Sequence, residues 1–171
     1  MMILGVVHLK SLPGSSSNKL NLDEITELAQ SDTDNLTKAG VNGIIIGNFG
    51  DVPFVKNDVS KRTVASFTSV IQNLNIDSKL KIGINVLRND GIAALSIAEA
   101  TNADFVRINV LNNVMMFTDQ GIIEGEANQI AEFNQSLNKD IEIFADVFVK
   151  HAVPPEGSKI ENHAEELINR A

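Results

Sequence analysis

The stretch NVLRNDGIAALSIAEATNADFVRINV, residues 85–110, decides the fold class. An apolar run stands at each end, and the segment Gly91–Ala100 between them has a helical pattern. A strand, a helix and a second strand in about 30 residues are typical of a βαβ unit with parallel strands. Both apolar runs nevertheless carry polar residues, which are Asn85, Arg88, Arg107 and Asn109.

The same alternation continues on both sides of this stretch. We predict strands at 2–9, 43–49, 80–87, 104–110 and 141–150. We predict helices at Leu22–Lys38, Lys61–Asn73, Gly91–Ala100, Glu126–Leu137 and Glu161–Arg170. The first helix has a clear start, because Asn21 is a good cap and Glu24 follows three residues later. The pattern predicts one parallel α/β domain over residues 1–171.

Two architectures fit five βα units. The first is an open, doubly wound sheet, for which five units are a natural size. The second is a (β/α)₈ barrel, which typically needs about 250 residues, so that this chain would supply only the first five of its eight units. The last predicted helix has no Gly or Pro stop signal, which favours the second architecture.

The composition argues against several classes of function. The chain has no cysteine, which excludes disulfides, thiolate zinc sites and cysteine nucleophiles. A net charge of -8 without a basic patch argues against a nucleic-acid partner. The apolar start, MMILGVVHLKSLPG, lacks a basic region and is too short to span a bilayer. We therefore predict a cytoplasmic protein with no integral membrane segment.

Polar side chains recur near the carboxyl end of every predicted strand. Because strand residues alternate between faces, Arg107 shares a face with Asn109, and Asn48 shares one with Ile44 and Ile46. Ligands bind at this end of parallel α/β folds. Each residue alone fits a hydrogen-bonded structural group equally well. Together they predict the floor of a binding site, formed by His8, Asn48, Asn85, Arg107, Asn109 and Asp146.

The loops after the second and third strands add further candidates. Asp51 follows the second strand, just after a glycine that frees the backbone. Arg88 and Asn89 follow the third strand and offer a cation and an amide. Asp90 comes next, and it fits a helix cap as well as a site residue.

The loops after the fourth and fifth strands carry groups suited to proton transfer. Asp119 and Glu124 fit three roles, namely an acid–base pair, ligands of a divalent metal, or acids near a helix N-terminus. Lys150 and His151 follow the fifth strand. For Lys150 we favour anion attraction over a Schiff base, because nothing in the sequence shows that it is desolvated. No metal-ligand cluster has diagnostic spacing, and GxGxxG, Walker A, GxSxG and HExxH motifs are absent.

Six blocks are spread over most of the chain: GVVHLKSLPGS (5–15), NFGDVPF (48–54), GINVLRND (83–90), RINV (107–110), TDQGIIEG (118–125) and ADVFVKHA (145–152). Together, and in this order, they resemble the BtpA/SgcQ family. The resemblance implies a TIM barrel of the ribulose-phosphate-binding type, longer than this chain, and so favours an incomplete barrel. The family is named after a cyanobacterial factor needed for stable photosystem I. Other members occur in non-photosynthetic bacteria and archaea, and some of their genes lie beside sugar-metabolism genes. An acid commonly precedes NFGD in the family, where this chain has Gly47.

The residues and the resemblance support two hypotheses of function. In the first, the protein is an enzyme on a phosphorylated sugar or nucleoside-like molecule, as a lyase, an isomerase or a glycosyl-transfer enzyme. In the second, it is a non-catalytic assembly factor. Unpaired barrel edges would also predict a homo-oligomer. The enzyme hypothesis assigns acid–base roles to Asp146, Asp119, His8, His151 and Glu124, and substrate binding to Asn48, Asp51, Asn85, Arg88, Asn89, Asp90, Arg107, Asn109 and Lys150. The cofactor stays open, with a divalent metal as one candidate.

Overall fold

The structure, a computed structural model, describes residues 1–112 and 116–169. Its strands and helices alternate along the chain as the sequence predicts, except between β4 and α4, where two further strands occur. In chain order they are β1 (Leu4–His8), α1 (Leu22–Lys38), β2 (Gly43–Gly47), α2 (Lys61–Asn73), β3 (Lys81–Asn85), α3 (Gly91–Thr101), β4 (Phe105–Ile108), β5 (Met116–Thr118), β6 (Gly121–Ile123), α4 (Ala127–Ser136), β7 (Glu142–Ala145) and α5 (Ile160–Ile168).

Five of the strands form one parallel sheet in the order β1-β2-β3-β4-β7. The order of the strands in the sheet follows their order along the chain. In a doubly wound sheet, by contrast, the strand order would reverse. The register aligns His8 with Gly47 and Gly47 with Asn85, so the carboxyl ends of neighbouring strands lie side by side. This α/β arrangement is the one that the first part of a (β/α) barrel would have.

All five helices contribute to one apolar core with the same face of the sheet. Val7 and Ile84 of the sheet and Phe67 of α2 are fully buried in this core. We call this side of the sheet the helix face. The start of α1 confirms the predicted cap: Asn21 and Glu24 form a reciprocal capping box, with distances of 2.9 Å in both directions.

The opposite side, which we call the open face, carries the alternate strand residues. Near the amino ends of the strands it is filled by the ring of Phe105, stacked 4.5 Å from that of Phe144. A Cβ atom on Gly83 would come within 2.2 Å of the Phe105 ring, so glycine is needed there for packing. Further along β1, Val6 is 42% exposed on this face, whereas its neighbour Val7 is 0% exposed on the other.

The largest departure from the sequence prediction lies between β4 and α4. Residues 116–123 were expected as a loop, but β5 and β6 form an antiparallel hairpin. The backbone of Phe117 also exchanges two hydrogen bonds with Val153, at 2.9 and 3.0 Å. Since the chain turns toward this hairpin after Asp146, β7 ends at Ala145, well before the predicted end at 150. The predicted end of the last helix, Arg170, lies outside the described residues.

Within the described part of the chain, no helix combines the length and the apolar character needed to cross a membrane.

Candidate functional site

A cavity of about 380 Å³ lies on the open face, beyond the Phe105 layer. This volume falls in the range of small-molecule sites, which is about 300–1,000 Å³. The cavity brings together predicted residues from three strands, β1, β3 and β4, and from the segments that follow β3, β4 and β7. Its predicted cations and rings are His8, Arg88, Arg107, Lys150 and His151. Its other predicted polar residues are Asn85, Asn109 and Asp119.

Asp146 does not line the cavity itself, but it anchors a row of polar side chains that reaches the lining residues Arg107, Asn109 and Asn85. The guanidinium of Arg107 donates to both of its carboxylate oxygens, from Nε at 3.0 Å and from Nη2 at 2.8 Å. Asn109 Nδ2 donates to Asp146 Oδ2 at 3.2 Å. Asn85 Nδ2 in turn donates to Asn109 Oδ1 at 3.0 Å and to the carbonyl oxygen of Arg107 at 2.9 Å. The charge of Arg107 is therefore balanced within the row.

Arg88 differs from Arg107 because its charge has no such partner. Arg88 is 8% exposed, and among the described residues the one hydrogen bond of its side chain runs from Nη2 to the carbonyl oxygen of Lys150 at 2.9 Å. Among residues 1–112 and 116–169, no carboxylate lies within 4.0 Å of the Arg88 guanidinium. Burial lowers the pKa of Arg88, and the more distant charges of Asp119 and Asp146 oppose this effect. An arginine nevertheless remains protonated in proteins. The cavity thus holds a buried positive charge in need of an anion.

The segment that carries Arg88 is fixed from both sides. Asn89 pairs with the backbone of Val110, donating from Nδ2 at 2.9 Å and accepting at Oδ1 at 2.8 Å. Asp90 caps α3 by accepting from the Ala93 amide at 2.8 Å, and it also accepts from the Val59 amide at 2.8 Å. Burial raises the pKa of Asp90, and these two hydrogen bonds oppose the rise. Both side chains position Arg88 and lie outside the cavity lining.

Asn48 and Asp51 also lie outside this cavity. Asn48 follows β2 on the helix face, where its Oδ1 accepts from the Leu87 amide at 2.7 Å. Asp51 accepts from Asn48 Nδ2 at 3.0 Å and from the Leu12 amide at 2.7 Å. Burial raises the pKa of Asp51, and these hydrogen bonds lower it in part. The pair ties together the loops that follow β1, β2 and β3.

The remaining predicted acids are separated by the hairpin. Asp119 lies in its turn and lines the cavity, whereas Glu124 follows β6 and is exposed to solvent outside the lining. Within the described residues, no group of three or more His, Asp or Glu side chains is arranged to hold a metal ion. Glu124 therefore does not join Asp119 in the lining of the cavity.

An aromatic wall was missed by the sequence reasoning. The ring of Phe49 lies 4.4 Å from that of His8 and 6.0 Å from that of Phe54, and all three line the cavity. Phe49 is 48% exposed. The block NFGDVPF could have predicted this wall, because its two phenylalanines follow the carboxyl end of a strand, where ligands bind in parallel α/β folds. Gly47 lies on the floor beside this wall, and a Cβ atom there would have its nearest contact at 3.4 Å.

Comparison with known proteins places the chain in a family. The sequence model of the BtpA family matches residues 1–171. This chain belongs to the BtpA family. Relatives include an uncharacterised protein of Thermococcus kodakarensis, 50% identical over 151 residues, which are 88% of this chain and 57% of that protein. The photosystem I biogenesis protein BtpA of Synechocystis is 44% identical over 152 residues, 89% of this chain and 53% of the relative.

The chain is also similar to a eukaryotic protein. An uncharacterised mitochondrial protein of Caenorhabditis elegans is 31% identical over 171 residues, covering 95% of this chain and 60% of the relative. The chain thus spans a little over half the length of these three relatives.

Proposed function

We propose that the protein is an enzyme that acts on a phosphorylated sugar or nucleoside-like molecule bound in the open-face cavity. The observation that carries this proposal is Arg88, a buried cation without a carboxylate within 4.0 Å in the described structure. A buried charge is costly unless it is paired, and a substrate phosphate would pair it with charge-assisted hydrogen bonds. Lys150 is exposed at the same cavity and offers a second cation.

The contacts of the carboxylates divide the remaining roles. Asp146 already accepts three hydrogen bonds from Arg107 and Asn109, so its proposed role is to orient Arg107. In the described structure the Asp119 carboxylate accepts no hydrogen bond, and we assign it the role of general base. His8 and His151 line the same cavity and supply candidates for the proton carrier. Proton abstraction and return fit a lyase or an isomerase, and glycosyl transfer is the alternative chemistry.

Thermal unfolding against a panel of sugar phosphates and nucleoside phosphates tests the binding step. A compound at 100 times its dissociation constant adds about 2.7 kcal/mol to the free energy of unfolding. We expect phosphorylated compounds to raise the midpoint and their unphosphorylated counterparts to leave it unchanged. Equal shifts from both forms, or none from any compound, would contradict the proposal.

The chemical step is tested on the compound that binds. Phosphorus NMR follows its conversion by the wild type and by Asp119→Asn. The substitution keeps the shape of the side chain and removes the base, so we expect binding within about twofold of wild type and a rate lower by about 10²–10⁴. Asp23→Asn, on the exposed side of α1, is the control and should change neither. Wild-type turnover by Asp119→Asn would reject this residue as the base.

A non-catalytic assembly factor is the second candidate. The observation that favours it is the name of the Synechocystis relative, a photosystem I biogenesis protein. This candidate predicts a stable protein partner and no affinity for any compound of the panel. Affinity purification of the tagged protein from its native host, together with the binding panel, distinguishes the two candidates.

A further inference from the structure

We propose that the ligand of the open-face cavity carries a planar ring as well as its anionic group, as a nucleoside monophosphate does. The ring would lie against Phe49 and the anionic group would pair with Arg88. This inference rests on the proposed function, since it requires an anion in the cavity, and it selects the nucleotide-like class over plain sugar phosphates.

The first observation is the exposure of the aromatic wall. Phe49 is 48% exposed although one side of its ring already meets His8 at 4.4 Å. Phe49 continues the open-face side of β2, after Ile45 and Gly47, so its uncovered surface belongs to the cavity and not to the apolar core. Exposed aromatic side chains stack on planar rings, and this contact depends little on which nucleobase is bound.

The second observation is the space beside that wall. Gly47 stands between His8 and Asn85 in the register of the sheet and places no side chain on the open face. A Cβ atom at Gly47 would have only the carbonyl oxygen of Asn85 in contact, at 3.4 Å, and the Asn85 Cβ atom at 3.9 Å. Packing therefore does not require the glycine, and its effect is to open a flat floor next to Phe49.

The third observation is an unused acceptor next to this floor. Asn85 is 5% exposed, and its Nδ2 donates to the carbonyl oxygen of Arg107 and to Asn109 Oδ1. The carbonyl oxygen of Arg107 can only accept a hydrogen bond. This contact therefore fixes the orientation of the Asn85 side-chain amide, with Nδ2 toward β4. Asn85 Oδ1 then accepts from no protein donor in the described structure, and Asn85 is one of the residues that line the cavity. A planar ring that carries an N–H donor fits this acceptor, and the nucleobases carry such donors.

Calorimetric titration with adenosine 5′-monophosphate, uridine 5′-monophosphate and ribose 5-phosphate tests the inference. We expect both nucleotides to bind at least tenfold more tightly than ribose 5-phosphate. Phe49→Leu keeps an apolar side chain and removes the ring. It should weaken both nucleotides by about 5- to 150-fold, the range for loss of one stacking contact, and leave ribose 5-phosphate within twofold.

Phe117→Leu is the matched control, because Phe117 is 46% exposed and lies outside the cavity lining. It should leave all three affinities unchanged. If the nucleotides and ribose 5-phosphate bind equally, or if Phe49→Leu weakens all three alike, the planar-ring inference is wrong and anion binding stands. If none of the three binds, the planar-ring inference is wrong, and the wider panel of phosphates decides the proposed function separately.

Discussion

The helix face and the open face of the sheet are built from the same strands but differ in burial and in polarity. On the helix face, side chains such as Val7, Ile84 and Val106 are completely buried beneath the helices. On the open face, one apolar layer of Phe105 and Phe144 is followed by polar groups around a cavity. Alternation along each strand lets one face hold the fold together while the other is free to bind a ligand.

The largest effect on stability is expected at the filled layer of the open face. In Gly83→Ala the new methyl group would meet the Phe105 ring at 2.2 Å and disrupt its stacking on Phe144. We expect a loss of about 3 kcal/mol, at the upper end for overpacking. Gly47→Ala is the control, because the same change meets nothing closer than 3.4 Å. It should be neutral or stabilising by up to about 1 kcal/mol. Chemical denaturation measures both, and equal losses would contradict the layered description.

Adjacent valines of β1 compare the two faces directly. Val7 is 0% exposed on the helix face, and Val6 is 42% exposed on the open face. We expect Val7→Ala to lower the free energy of unfolding by about 2 kcal/mol, from lost burial and the resulting void. Val6→Ala should cost no more than about 0.5 kcal/mol. A cost for Val6→Ala as large as that for Val7→Ala would mean that the open face is covered in solution.

The paired arginine of the cavity should matter for stability. Arg107→Met removes two donors from Asp146 and leaves a carboxylate whose side chain is only 19% exposed. We expect a loss of about 1–2 kcal/mol, between the values for exposed and for buried pairs. The double variant Arg107→Met/Asp146→Asn measures the coupling between the two side chains. Its loss of unfolding free energy should be smaller than that of Arg107→Met, because no unpaired carboxylate remains. Additive losses in denaturant titrations would contradict the coupling.

The smallest effect is a pH dependence at the edge of the helix face. Because burial raises the pKa of Asp90, the folded protein binds this proton more tightly than the unfolded chain does. Protonation of Asp90 therefore stabilises the folded protein. This contribution to the free energy of unfolding is complete below the ordinary carboxylate pKa, about 3.9, and is lost as the pH rises through the raised pKa of Asp90. Asp90→Asn cannot titrate. The difference in unfolding free energy between wild type and Asp90→Asn should therefore become less favourable to wild type from pH 4 to pH 7. A constant difference would contradict this account.

Sequence reasoning predicted the elements better than the site. Helices α1 and α2 begin and end at the predicted residues, because caps and apolar periodicity define them locally. Strand alternation also correctly grouped Arg107 with Asn109. It grouped Asn48 with Ile44 and Ile46 as well, but these residues lie on the helix face. Alternation tells which residues share a face, and only tertiary packing decides which face stays open.

The hairpin and the unpaired charge required the three-dimensional structure. The turn of the β5–β6 hairpin, Asp119-Gln120 followed by Gly121, is not one of the strong two-residue turn sequences. Its strands are only three residues long, which is too short for a clear alternating pattern. Arg88 and Arg107 look alike in sequence, and only the position of Asp146 shows which of them is paired.

The central claim is that Arg88 serves a ligand and not the fold, and thermal unfolding of Arg88→Met tests it most directly. Removing a buried, unpaired charge while keeping the apolar stem should leave the midpoint without ligand unchanged or higher. Arg62→Met, at an exposed cation of α2, is the control. With a phosphorylated compound at 100 times its dissociation constant, wild type and Arg62→Met should each gain about 2.7 kcal/mol and Arg88→Met should gain almost nothing. A large loss of stability in Arg88→Met without ligand, or an undiminished gain with it, would contradict the account.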